Sequence, residues 1–184
     1  MQYLTPDQLA KLLEVYKDPE RRLFLRILSF TGCRVSEALV VTPRDLEAAE
    51  RVLTLPALKL KTGGTKRVVL DAETARLMEL FIRARTIRKD QRVFSFNRWQ
   101  AWKLVRDAGE KIGVPDLHPH TLRHTFAVNW AKGGADLLKL QRQLGHKKLE
   151  TTTDMYIHFA TEDIREDYDS VFKPGVGGTP ASRG

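Results

Sequence analysis

The sequence predicts an α+β fold, mostly helical with one small antiparallel sheet or hairpin. Apolar residues recur at helical spacing in several segments, many of them bounded by glycine or proline. Only RVLTLPALKL and KRVVL are rich enough in Val and Leu to read as strands, and they flank Gly63-Gly64, which predicts a hairpin with a glycine-rich loop. A chain of 184 residues, 42% of them hydrophobic, can build one sizeable core and is short for two. The domain is expected over residues 1–172, with a low-complexity, disordered tail at 173–184.

Thr5-Pro6-Asp7-Gln8 supplies an N-cap, a first-turn proline and a capping-box glutamine, predicting a helix to about Tyr16. A second helix follows Asp18-Pro19, with Phe24, Ile27, Leu28 and Thr31 on one stripe and Gly32 as its stop. CRVSEALVV begins a fresh helix near Cys33 or Ser36, so Arg34 falls at a helix junction. A cation there opposes the positive end of the helix dipole unless an anion is shared with it. Thr42-Pro43-Arg44-Asp45 is a further capped turn, and Lys61 lies where the first strand enters the hairpin loop. Asp71 caps a helix to about Arg85, and the basic run Arg83 to Arg92 reads equally as a solvated helix end or a DNA contact. A short helix from about Trp99 to Ile112 leads to the turn at Gly113-Val114-Pro115. HTLRHTFAVNW forms the next helix, ended by Gly133-Gly134, and ADLLKLQRQLGH another, stopping at Gly145. Ile164, Tyr168 and Phe172 mark a last amphipathic helix from Phe159 to Phe172.

The single cysteine, Cys33, excludes an intrachain disulfide and cysteine-based zinc motifs, in keeping with a reducing cytoplasm. No apolar run has membrane-spanning length and the start is not a secretory signal, so no membrane is expected. Thirty-one Lys and Arg against twenty-three Asp and Glu give a net charge of +8, which favours a polyanionic partner, nucleic acid first.

All five histidines lie between His118 and His158. His120 and His124 have ligand spacing, but the glutamate of a zinc-protease helix is missing and Arg123 would repel a cation, so no metal is expected. No serine sits in a nucleophile-elbow sequence. The alternative is an anion site. His120 and Arg123 share one helical face and can reach the same anion, and Arg34 and Lys61 add cations from earlier elements. His146 and Tyr156 follow downstream, and a tyrosine among cations is a plausible nucleophile toward a phosphodiester.

Taken in order, TGCRVSEAL around Arg34, LKTGGTKRVVL with Lys61, PHTLRHTFA with His120 and Arg123, LGHKKLETTT with His146 and DMYIH with Tyr156 resemble the tyrosine recombinase (phage integrase) family. The likeness covers its catalytic domain from about Thr5 to Phe172. It implies that Arg34, Lys61, His120, Arg123 and His146 surround the scissile phosphate while Tyr156 attacks it, and that Glu37 supports Arg34. Lys59 and Lys66 are rivals of Lys61, and Lys66 and Arg67 are candidate DNA contacts. His146 and Tyr156 are ten residues apart, where the commonest family pattern has nine. The family's amino-terminal DNA-clamping domain is expected to be absent from this chain.

The implied reaction is cleavage and rejoining of double-stranded DNA through a 3′-phosphotyrosyl intermediate, without metal, ATP or other cofactor. His120 would accept the phenolic proton and Lys61 would protonate the leaving 5′ oxygen. Self-association as a dimer or tetramer on DNA and a cytoplasmic, nucleoid-associated location are expected. A type IB topoisomerase would use nearly the same residues, and a non-catalytic DNA-binding regulator of the same fold is the third reading.

Overall fold

The computed structural model describes residues 3–56, 64–134 and 136–145. Lys59, Lys61, His146, Tyr156, the helix expected from Phe159 and the tail lie outside the described residues.

Thr5 caps α1 (Pro6–Glu14) through the predicted capping box with Gln8. The helix ends before Tyr16, two residues earlier than its pattern suggested. Leaving the helix at Val15 allows Tyr16 to enter the core and donate its hydroxyl to the Leu104 carbonyl at 3.2 Å. Asp18 caps α2 (Pro19–Thr31), which carries Phe24, Ile27 and Leu28 into the core and stops at Gly32, where φ is 61°. That left-handed conformation is why glycine ends the helix.

The next helix, α3 (Val35–Ala38), is a single turn with Arg34 at its N-cap. It cannot extend far, because Pro43 disfavours helical geometry in the residue before it. A 3-10 turn over Pro43–Asp45 follows, fastened by the Thr42 N–H and hydroxyl donating to Asp45 at 2.8 and 2.9 Å. β1 (Leu46–Glu47), β2 (Val52–Pro56) and β3 (Thr65–Val69) form one antiparallel sheet in that order. β2 and β3 fall on the two Val- and Leu-rich stretches of the sequence. β1, at two residues, is too short to carry a period-two pattern. The register pairs Val52 with Val69 and Pro56 with Thr65, turning Val68 into the core and Val69 outward.

Four helices complete the described chain: α4 (Ala72–Ala84), α5 (Arg98–Lys111), α6 (Pro119–Lys132) and α7 (Leu137–Leu144). Asp71, Asn97, His118 and Asp136 cap them, each side chain accepting from a first-turn N–H. α2 runs against α4 and α6 at the centre of the molecule. From Thr121 to Val128 every residue of α6 is buried, polar ones included, so its middle is enclosed all round while its first turn reaches solvent. A smaller apolar cluster of Phe126, Ala127, Leu140 and Leu144 seats α7 on α6. None of the described helices is long and apolar enough to cross a membrane.

Candidate active site

Arg34 is placed by a junction that its own sequence builds. Gly32 turns the chain out of α2, and the Arg34 N–H then donates to Glu37 Oε2 at 2.9 Å, the backward half of a capping box. The Arg34 guanidinium donates to Glu37 Oε1, also at 2.9 Å. The anion that an arginine at a helix start requires is therefore supplied three residues later, from a side chain that is only 1% exposed.

Glu37 has a second cation. The Lys66 ammonium, 10% exposed, reaches Glu37 Oε2 at 2.9 Å and donates to the Leu144 carbonyl at 3.0 Å. Burial pushes the Glu37 carboxyl up, but the Arg34 N–H, the Lys66 ammonium and the Arg34 guanidinium outweigh it and hold the group below its ordinary value. Burial lowers Lys66, and Glu37 offsets part of that. Lys66, a candidate DNA contact and a rival of Lys61 in the sequence, faces the core on β3, alternating with Val68, with its ammonium on Glu37. Arg67, on the opposite face of the strand, is exposed and paired with Glu47 at 2.9 Å.

Arg123 comes from the buried face of α6. Its guanidinium donates to the Gly32 carbonyl at 2.6 Å and to the Leu144 carbonyl at 3.0 Å, joining the Arg34 junction to the end of α7. Burial, then the neighbouring Arg34 charge, lowers it to about 10, which leaves it protonated at neutral pH. Arg34, Lys66 and Arg123 thus surround one carboxylate, an excess of two positive charges in a partly enclosed site. Such an excess attracts an anion more strongly than the same charges would in water.

The structure brings Arg34, His120 and Arg123 together on one cleft, as the spacing of the two α6 residues predicts. His118 stands beside them, with its ring 6.2 Å from that of His120, and Nδ1 accepting the Thr121 N–H at 3.3 Å as the helix cap. His124 faces away. It is buried, its ring lies edge-on to Tyr3, and burial lowers its pKa.

Sequence reasoning missed two residues that complete the cleft, Arg98 and Trp102 of α5. A signal was present: Arg98, Trp102 and Arg106 recur every four residues, the spacing of a helix face, and the Arg106 guanidinium lies 5.6 Å from the Trp102 ring centroid. Trp102 is 42% exposed and lines the cleft, where its flat ring can carry a stacked group. No cluster of three metal-ligating side chains occurs among the described residues.

Residues 2–163 match the model of the phage integrase family. The tyrosine recombinase XerA of Saccharolobus solfataricus is 30% identical over 173 residues, covering 94% of this chain and 57% of its own. Among solved structures, the XerH site-specific recombinase, bound to its palindromic difH substrate after cleavage, aligns with a TM-score of 0.74 at 26% identity. That match covers 91% of this chain and 52% of XerH. The catalytic domain of bacteriophage HP1 integrase aligns with a TM-score of 0.68 at 25% identity, covering 99% of both chains. The present chain thus spans a little over half the length of the XerA relative and nearly all of a catalytic domain. With the family match across most of its length and the paired arginines converging on one cationic cleft, the chain belongs to the phage integrase family and has the fold of a tyrosine recombinase catalytic domain.

Proposed function

We propose that this chain is the catalytic domain of a site-specific recombinase that cleaves and rejoins double-stranded DNA through a 3′-phosphotyrosyl intermediate. The observation that carries the reading is the convergence of Arg34 and Arg123, from separate helices, on the cleft that also holds His120, with a buried carboxylate fixing the first arginine. The relatives support the same reaction class: XerA is a tyrosine recombinase, and XerH is held on its DNA substrate after cleavage.

In this mechanism the Tyr156 phenolic oxygen bonds to phosphorus as the bond to the 5′ oxygen breaks. Negative charge grows on the two non-bridging oxygens, and Arg34 and Arg123 stabilise it there with His146. His120 accepts the phenolic proton and Lys61 gives a proton to the departing 5′ oxygen. A 5′ hydroxyl from another strand reverses the step, because the phosphotyrosine conserves the bond. Strand exchange needs more than one active site, so the domain works as a self-assembled dimer or tetramer on DNA.

The test is to incubate the chain with a library of nicked, randomised duplexes, recover DNA held covalently after denaturation, and sequence it. One recurring site, lost in Tyr156→Phe, is expected. Relaxation of supercoiled plasmid without exchange between duplexes would favour the topoisomerase reading, and sequence-specific binding with no adduct would favour the regulator.

A further inference from the structure

Helix α7 is fastened to the sheet by a contact that apolar packing does not require. Among the described strands β3 lies at the edge, with β2 on one side, and Val69 turns its N–H and C=O away from β2. Both go to one side chain. The Val69 N–H donates to Gln143 Oε1 at 3.0 Å, and Gln143 Nε2 donates to the Val69 carbonyl at 2.9 Å. The primary amide thus stands in for a neighbouring strand. Gln143 is only 6% exposed, so its polar atoms depend on this partner.

Three residues back along β3, Lys66 makes the second tie, from the strand's other face to the Leu144 carbonyl. Leu140 and Leu144 already hold α7 in an apolar cluster with Phe126 and Ala127. Apolar contact is non-directional, whereas a two-point amide pair accepts one register. The clasp therefore contributes alignment more than burial.

Each clasped segment leads to a residue of the proposed mechanism. Lys61 precedes Lys66 by five residues on the hairpin side, and His146 follows Leu144 by two. We propose that Gln143 and Lys66 form a clasp that sets β3, the strand that follows the proposed general acid in sequence, against the end of α7, which makes Gln143 a positioning residue for strand cleavage. The inference rests on the function proposed above.

Gln143→Met keeps the side-chain length and removes both hydrogen bonds. The probe is the duplex recovered from the library, in its ordinary form and with sulfur at the bridging 5′ position, whose thiolate leaves with a pKa of roughly 8.5 and needs little protonation. Gln143→Met is expected to cleave ordinary DNA up to about a hundredfold more slowly, the cost of about a 1 Å misplacement of a reacting group. The sulfur duplex should restore most of that rate, and Lys61→Ala, run in parallel, should show the same rescue. Gln143→Glu keeps the acceptor for Val69 and regains a donor only when protonated, so its defect should shrink at acid pH where that of Gln143→Met does not. Equal losses on both duplexes, or no loss, with Lys61→Ala still rescued, would overturn the clasp and leave the mechanism standing. Lys61→Ala without rescue would remove Lys61 as the acid, and the clasp's role with it.

Discussion

Glu37 is the residue on which the local charge balance turns. It is 1% exposed and answers both Arg34 and Lys66, so removing it leaves two partly buried cations without their common partner. Breaking a buried pair from one side costs about 3–5 kcal/mol, and we expect Glu37→Ala to lose an amount of that order in urea unfolding. Its pH dependence follows from the lowered pKa. The unfolded group titrates near about 4.3, and the folded one lower. The stability it contributes is complete above the unfolded value and fades as pH falls through the folded one. Glu37→Gln should therefore flatten the acid limb of the stability curve while leaving the slope at neutral pH alone. Arg34 was legible as a cation at a helix junction that calls for an anion, and Glu37 as its support through the resemblance to the family. Lys66 was not: whether a strand lysine turns inward depends on register, and a one-residue slip reverses every side chain.

At the level of elements, boundaries marked by caps and glycines were readable, and those decided by distant contacts were not. Asp18, Gly32, Asp71 and Gly145 fell where local chemistry places them. The end of α1 did not, because Tyr16 is drawn off by a carbonyl on α5. Gly32 shows how one boundary serves the site. A Cβ there would lie 2.7 Å from both Leu144 Cδ2 and Phe126 Cδ1, on a backbone at φ 61°. The left-handed conformation costs a non-glycine residue roughly 1–2 kcal/mol, and overpacking about 1–3 more. Gly32→Ala is expected to lose about 2 kcal/mol or more of unfolding free energy. Because the Gly32 carbonyl also holds Arg123, strand cleavage should fall beyond what stability explains, which comparison at a temperature where both proteins remain folded would reveal.

For the molecule as a whole, the fold class was legible from few signals, since a single strand-rich region among helical segments leaves few arrangements. The site was legible as a set of residue types in order, whereas its second wall, Arg98 and Trp102 on α5, left only a four-residue spacing that does not say what the helix face meets. The net charge of +8 leads to a measurable property of the proposed DNA complex. Affinity for a labelled duplex should fall with a log–log slope of about −0.9 for each phosphate neutralised, and Arg98→Ala should make that slope shallower by about one unit. An unchanged slope would place Arg98 away from the DNA backbone.

Cys33, next to Arg34, is 2% exposed, and burial raises its thiol to about 11, with Thr31 opposing the shift. It is also the protein's sole thiol. The native chain should accordingly be silent toward a maleimide at neutral pH and react once, after unfolding in urea, because the thiolate is the reactive form. A cysteine substituted on the exposed face of α5 would then be the one labelled position, so that a dye there could report cleft occupancy in real time with Cys33 left in place.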